Sequence, residues 1–326
     1  MVQAPAWAAS TLTVDTLMDT MDSPNDCATG AGSSCSLRDA ITQANANGGG
    51  NIVFNQMFGT IALGSALPAI AANNVTITGP TSSSDASLGN MVTVDGGNSY
   101  QIFAVNSGVT DAAIEYLNIA NGYSNSNGGG GAILNRGTLT VSNSTFSQNS
   151  TSASDAGGAI VNDGDGASLT VNNSTFSGNS ADIGSAIWNG GTLAVTSSTF
   201  SGNSAASNGS ALYSTGTLTV SNSTFSGNSA AIGWGGAIFS AGATKVVNST
   251  FSGNATADGS GGAIANLGTL TVTDNIFSAN SSVSSATYAG AIANSGTVEN
   301  EGNNVFYSNS GGDAYGFTLS PTDVTG

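Results

Sequence analysis

The stretch Gly137-Thr138-Leu139-Thr140-Val141-Ser142, running on through Phe146 to Asn149, decides the fold. Apolar and polar residues alternate along it, the two-residue period of a strand with one buried face, and it is too short for a helix. Its landmarks recur down the chain. Phe146, Phe176, Phe200, Phe225, Phe251, Phe277 and Phe306 fall 24 to 30 residues apart. Three residues after each stands Asn149, Asn179, Asn203, Asn228, Asn254, Asn280 or Asn309. Ahead of them lie two further columns, Ile133, Ile160, Ile187, Leu212, Ile238, Ile264 and Ile292, then Leu139, Leu169, Leu193, Leu218, Thr244, Leu270 and Val298.

The spacings within a copy say more than the period. Aliphatic to second column is six residues except nine from Ile160 to Leu169, and second column to Phe is seven except in the last copy. The return from Phe to the next aliphatic residue varies from 11 to 15. Two sides are tight and one turn tolerates insertions. Short strands of this kind cannot bury a face alone and must stack on their neighbours, which predicts a parallel β-solenoid. Coils about 4.8 Å apart make the seven copies a rod of roughly 34 Å. The Phe residues then form a buried stack, and the Asn residues sit at a turn and bond the neighbouring coil's main chain.

Upstream, residues 51–63, 75–78, 91–94, 102–105 and 114–119 read as less regular strands of the same rod. Before them, Leu37, Ala40, Ile41 and Ala44 have helical spacing, and Ser36 with Asp39 forms a capping box. A helix there covers the strand edges at the end of a solenoid. No comparable cap is evident after Phe306. The expected organisation is an N-terminal segment (1–50), irregular first coils (51–127) and regular repeats (128–326) in one continuous domain.

Composition narrows the chemistry. With 46 Gly, 5 Pro and 39% apolar residues, the chain buries enough surface to fold. Three basic residues (Arg38, Arg136, Lys245) against 19 acidic ones, for a net charge of −16, exclude nucleic-acid binding. The absence of His removes the Ser-His and Cys-His nucleophile pairs and His metal ligands. No run of 18 apolar residues is present, so no membrane-spanning helix is expected. Ala6-Trp7-Ala8-Ala9 has the small-residue character of a secretory signal's tail. Cys27 and Cys35 are eight apart, close enough for a disulfide that implies an oxidising, extracytoplasmic setting; two buried thiols are the alternative.

Cys35-Ser36-Leu37-Arg38-Asp39-Ala40-Ile41 resembles the Cys-Ser-Leu-Arg-Glu-Ala signature near the N-terminus of many secreted bacterial and archaeal β-helix surface proteins, with Asp39 in place of Glu. The Gly-Gly-Ala-Ile and Phe-x-x-Asn motifs are similar to those of the chlamydial polymorphic outer-membrane protein adhesins. Together these resemblances cover most of the chain. They imply an all-β, right-handed parallel β-helix displayed at a surface, without enzyme activity. The adhesins' C-terminal membrane barrel has no counterpart in the sequence, so their export route does not carry over.

Directly after the aliphatic column, Trp188, Tyr213 and Phe239 should point outward as an aromatic ladder, joined by Trp234 and Tyr288; such a row suits a sugar or a partner protein. The competing expectation is that the variable turn folds over it. Arg136 and Asp163 stand at equivalent positions in adjacent coils, as an exposed ion pair would. Asp163 with Asp165, or Asp15, Asp19, Asp22 and Asp26, can hold calcium, though neither run has a calcium-loop spacing; otherwise no cofactor is implied. A carboxylate-based polysaccharide hydrolase would draw on Asp155, Asp163 and Asp165. An ice-binding protein would use Thr138, Ser168, Thr192, Thr217, Thr269 and Thr297 beside Thr140, Thr170, Thr219 and Thr271, a second column that Ala194, Lys245 and Glu299 interrupt. Asn143, Asn173, Asn222 and Asn248 form Asn-x-Ser/Thr sites that follow from the repeat. The expected function is a secreted or cell-surface structural and adhesive rod binding a glycan, a cell surface or copies of itself, with end-to-end assembly into fibres as a secondary possibility.

Overall fold

Leu139 and Val141 face inward from the strand Thr138–Ser142, and the next coil sets Leu169 and Val171 beside them in parallel register. The same pairing repeats coil by coil, so matching letters become physical columns. The structure, a computed structural model, describes residues 10–20, 27, 34–55, 57–80, 91–125, 128–152, 154–164, 166–282 and 289–326. Residues 6–9, Asp22, Asp26, Asp165 and Tyr288 lie outside them.

The fold is a parallel β-helix whose regular coils contribute four short strands each. Among the described residues the strands make four parallel sheets. Sheet A has 11 strands, from Thr11–Val14 through Thr138–Ser142 to Thr297–Gly302. Sheet B has 11, including Thr145–Ser147 and ending at Val324–Thr325; sheet C has 9, including Ile133–Asn135; sheet D has 7, including Ser150–Thr151. Two upstream stretches expected as single strands turn a corner instead. Residues 51–63 become Gly50–Phe54 and Thr60–Ala62, and residues 114–119 become parts of Ala112–Glu115 and Leu117–Ala120.

Inside sheet B the Phe rings stack from Phe146 to Phe306, with centroids 4.6 to 5.1 Å apart and planes within 12° of parallel. The coil spacing imposes this face-to-face geometry, since each ring hangs from a strand hydrogen-bonded to the next. Each buried ring contributes about 1.5–3 kcal/mol, with about 0.5–1.5 kcal/mol more per ring contact. The one polar member of the Leu column, Thr244, is buried and lies 2.7 Å from the Ser240 hydroxyl, which satisfies both.

Where the chain turns a corner, backbone groups lose their partners on the sheet, and buried polar side chains replace them. At the corner between sheets B and D, Asn149 Nδ2 donates to Ile119 O (3.0 Å) and Asn179 Oδ1 (3.0 Å), while its Oδ1 accepts from Gly122 N (2.8 Å). Asn179, Asn203, Asn228, Asn254 and Asn280 repeat the pattern with fully buried side chains. The left-handed backbone of this corner belongs to the residue before each Asn, such as Gln148 (φ 55°) or Gly178 (φ 62°). Two further ladders close the other corners. Asn135, Asn162 and Asn189 chain their amides between sheets C and A, and Ser144, Ser174, Ser198, Ser223 and Ser249 accept the preceding coil's backbone N–H between A and B. Asn143, Asn173, Asn222 and Asn248 take φ near 50° at that last corner, a conformation Asn tolerates better than most residues.

Helix α1 (Leu37–Ala46) packs its Leu37, Ala40, Ile41 and Ala44 face against the first coil, and Ser36 and Asp39 form the capping box. Arg38 is buried, forked onto Asp19 at 2.8 and 2.9 Å, with two more bonds to Ser65 O and Ala66 O. Cys27 and Cys35 form a disulfide. The last coil, expected to be bare, is partly covered by the segment after Phe306. Its Phe317 and Leu319 pack against the core, and Ala314–Tyr315 and Val324–Thr325 add short strands to sheets C and B.

Candidate functional site

The aromatic row lies on sheet C beside the variable turn. Trp188, Tyr213 and Phe239 are in register on consecutive coils, but their surroundings differ. Tyr213 and Phe239 stack at 4.6 Å, and the Trp234 ring lies 6.5 Å from Phe239. Trp188 turns instead toward Gly190, where an added Cβ would stand 2.7 Å from the indole.

Phe239 departs from the outward expectation: it is only 5% exposed. Its ring sits between those of Tyr213 and Trp234, and the turn of the preceding coil presses Gly209 against its Cβ. Val161, at the same position, is covered by the turn of its own coil at Gly157. Thus the variable turn folds over parts of this column and leaves Trp188 and Tyr213 half-buried. Partial burial pushes the Tyr213 phenol above its ordinary pKa, because the charged form loses hydration. Trp234 (39% exposed) and the neighbouring Ile232 (56%) stand out on the same turn, which Trp234 N anchors by donating to Asn208 Oδ1 at 2.6 Å.

Of the carboxylates considered for hydrolysis, Asp155 comes before and Asp163 after the strand Ile160–Asn162. Asp155 is buried in the turn between Ser150–Thr151 and Ile160–Asn162, hydrogen-bonded to the Ser152 hydroxyl, and its backbone joins the neighbouring coil through Asp182 N. Asp163 follows the other end of that strand and pairs with Arg136 at 3.3 Å, both side chains partly exposed. Among the described residues no group of three or more His, Cys, Asp or Glu is placed to hold a metal ion.

The threonine columns also differ from expectation. On sheet A, Ala243 stands between Thr217 and Thr269 and breaks the first column. Sheet B carries the more regular array. Thr145, Thr175, Thr199, Thr224 and Thr250 align on consecutive coils, beside Ser147, Ser177, Ser201, Ser226 and Ser252. Both columns stand on the outer face of the strands whose inner face holds the Phe stack.

Four parallel ladders closed by corner columns define the chain as a β-solenoid. The family model for the right-handed beta helix region matches residues 81–251, just over half of the chain. The protein is therefore a member of the right-handed β-helix family, and no curated protein matches it.

Proposed function

We propose that this protein is a secreted or cell-surface β-helical rod with a structural and adhesive role, contacting a glycan, a cell surface or another copy of itself through its side. The supporting observation is the patch of Trp234, Ile232, Tyr213 and Trp188 beside turns rich in Ser, Asn and Gly. Aromatic rings beside hydroxyl-rich turns suit stacking on sugar rings or contact with a partner. A disulfide fits an oxidising compartment, and the Cys35–Ile41 resemblance points the same way. The test is a glycan array and a cell-binding assay run beside a polysaccharide-cleavage panel. Trp188→Ala combined with Trp234→Ala should abolish binding while costing only the packing of these rings on Phe239 and Gly190, about 1–3 kcal/mol, with the protein still folded. Unaltered binding by the double variant would remove the patch from consideration, and turnover in the cleavage panel would favour an enzyme.

The Thr and Ser columns of sheet B support a second reading, recognition of an ordered solid such as ice. Successive coils repeat at the spacing of the Phe stack beneath, 4.6 to 5.1 Å, and the two hydroxyls of one strand are about 6.6 Å apart. Thermal hysteresis that disappears in Thr199→Tyr would support it, and none in the unaltered protein would end it.

A further inference from the structure

A notch opens on the opposite end of sheet C from the aromatic patch, where turn length changes from coil to coil. Six residues (106–111) join Phe103–Val105 to Ala112–Glu115, two (136–137) join Ile133–Asn135 to Thr138–Ser142, and five (163–167) join Ile160–Asn162 to Ser168–Asn172. These three turns are stacked in that order. Two long turns flanking a short one leave a gap two coil spacings wide, about 10 Å between wall backbones. The resulting cleft is about 520 Å³, floored by Arg136, Gly137 and Thr138, with Ser107, Val109 and Thr110 on one wall and Asp163 on the other. At Gly108, Gly164 and Gly166 on its rim an added Cβ would meet no atom within 4 Å.

Arg136 gives the cleft its chemistry. Of the three basic residues, Arg38 is buried on Asp19 and Lys245 stands on the open face of sheet A, so Arg136 is the sole cation in this cleft. Among the described residues its side chain is engaged only through Nε, by Asp163 Oδ2. That contact orients the guanidinium and leaves both Nη groups for a ligand. A planar fork of donors matches a carboxylate, whereas a phosphate dianion would meet a single Arg beside Asp163 on a chain of net charge −16. Around it stand groups that bond hydroxyls: the side chains of Ser107, Thr110 and Thr138 and the second oxygen of Asp163. Val109 lies beneath Ser107 and Thr110 in their wall, buried in the core, and holds the turn in place.

We propose that this notch binds a carboxylated sugar residue, its carboxylate on the Arg136 Nη groups and its ring hydroxyls on Asp163 and the hydroxyl side chains. The site is separate from the aromatic patch and does not depend on it.

The experiment titrates the full chain with methyl glucuronoside and with the methyl glycoside of N-acetylneuraminate, followed by the backbone amide signals of Arg136, Gly164 and Gly166. Methyl glucoside, acetate and inorganic phosphate are the comparison ligands. At least one acidic sugar should bind saturably, about tenfold or more tighter than any comparison ligand. Arg136→Gln should weaken it about tenfold or more, as should Gly166→Leu, which fills the mouth without touching the guanidinium. Lys245→Gln and the Trp188→Ala, Trp234→Ala variant should bind as the unaltered protein does, which separates this site from the patch. The proposal is overturned if neither acidic sugar saturates, if methyl glucoside binds equally, if acetate or phosphate binds as tightly, or if Arg136→Gln has no effect.

Discussion

Replacing Asn203 by Ala in the middle of the corner ladder tests whether the Asn column builds the rod or serves as a binding row. The Asn203 side chain makes four bonds: Nδ2 donates to Phe176 O (3.0 Å) and Asn228 Oδ1 (2.9 Å), and Oδ1 accepts from Asn179 N (3.1 Å) and Asn179 Nδ2 (2.9 Å). After truncation Asn228 Oδ1 keeps its bond from Asn203 N, and Asn179 Nδ2 keeps Phe146 O. The buried N–H of Asn179 is the group left bare. One orphaned donor at about 1–3 kcal/mol, with the weakening of the other three bonds, predicts a loss of about 3–6 kcal/mol. Asn309→Ala likewise bares the Asn280 N–H, but Asn309 is the half-buried last rung, where its bonds compete with water, so the loss there should be smaller, about 1–3 kcal/mol. Denaturant unfolding measures both losses, and hydrogen exchange should show the Asn179 amide opening earlier than its neighbours. A loss below about 1 kcal/mol at Asn203, or equal losses at the two positions, would refute the ladder argument.

Arg38→Met should destabilise by about 3–5 kcal/mol, since it leaves Asp19 buried without its partner, as read by the urea midpoint. Reducing the Cys27–Cys35 bridge should lower stability by about 2–3 kcal/mol for a short loop, and melting with and without reductant checks it. Because the folded-state pKa of Tyr213 is raised, its contribution is fully present below the ordinary phenol value and is lost as pH rises past it. Tyr213→Phe should therefore flatten part of the alkaline fall in melting temperature, and an unchanged profile would contradict the burial of the phenol.

The columns were legible because a parallel register needs only equal spacing, and the Phe, Leu and Ile positions keep it. What breaks the period hid the rest. Thr11–Val14 has the same four letters as Thr138 to Val141, yet it is a strand of sheet A that the sequence reading missed, because α1 and the disulfide segment separate it from its partner Gly50–Phe54. The ladders of Asn135 and Ser144 were also missed, although Asn135 lies two residues past inward-facing Ile133 and so shares its face. Alternation set the direction in which Phe239 points but carried no information on what covers it. That depends on the path of the Gly209 turn, one coil away. The Arg136–Asp163 pair followed from position alone, while the notch around it required comparing turn lengths on three coils, one of them in the irregular region.

Variation in this rod is confined by its corners. The corner between sheets A and B must place a polar side chain against the preceding coil's N–H, and the one between B and D must place an Asn, so from Thr138 to Asn280 neither admits an insertion. The turn from sheet D to sheet C has no continuous ladder of this kind, and its length changes from coil to coil. The turn from C to A holds two residues in most coils but lengthens twice, on either side of Arg136. Both proposed surfaces lie where the ladders allow the chain to differ: the aromatic patch on the first of these turns and the Arg136 notch on the second. A substitution at a ladder position should therefore act first on stability, and one at Trp234 or Arg136 first on binding.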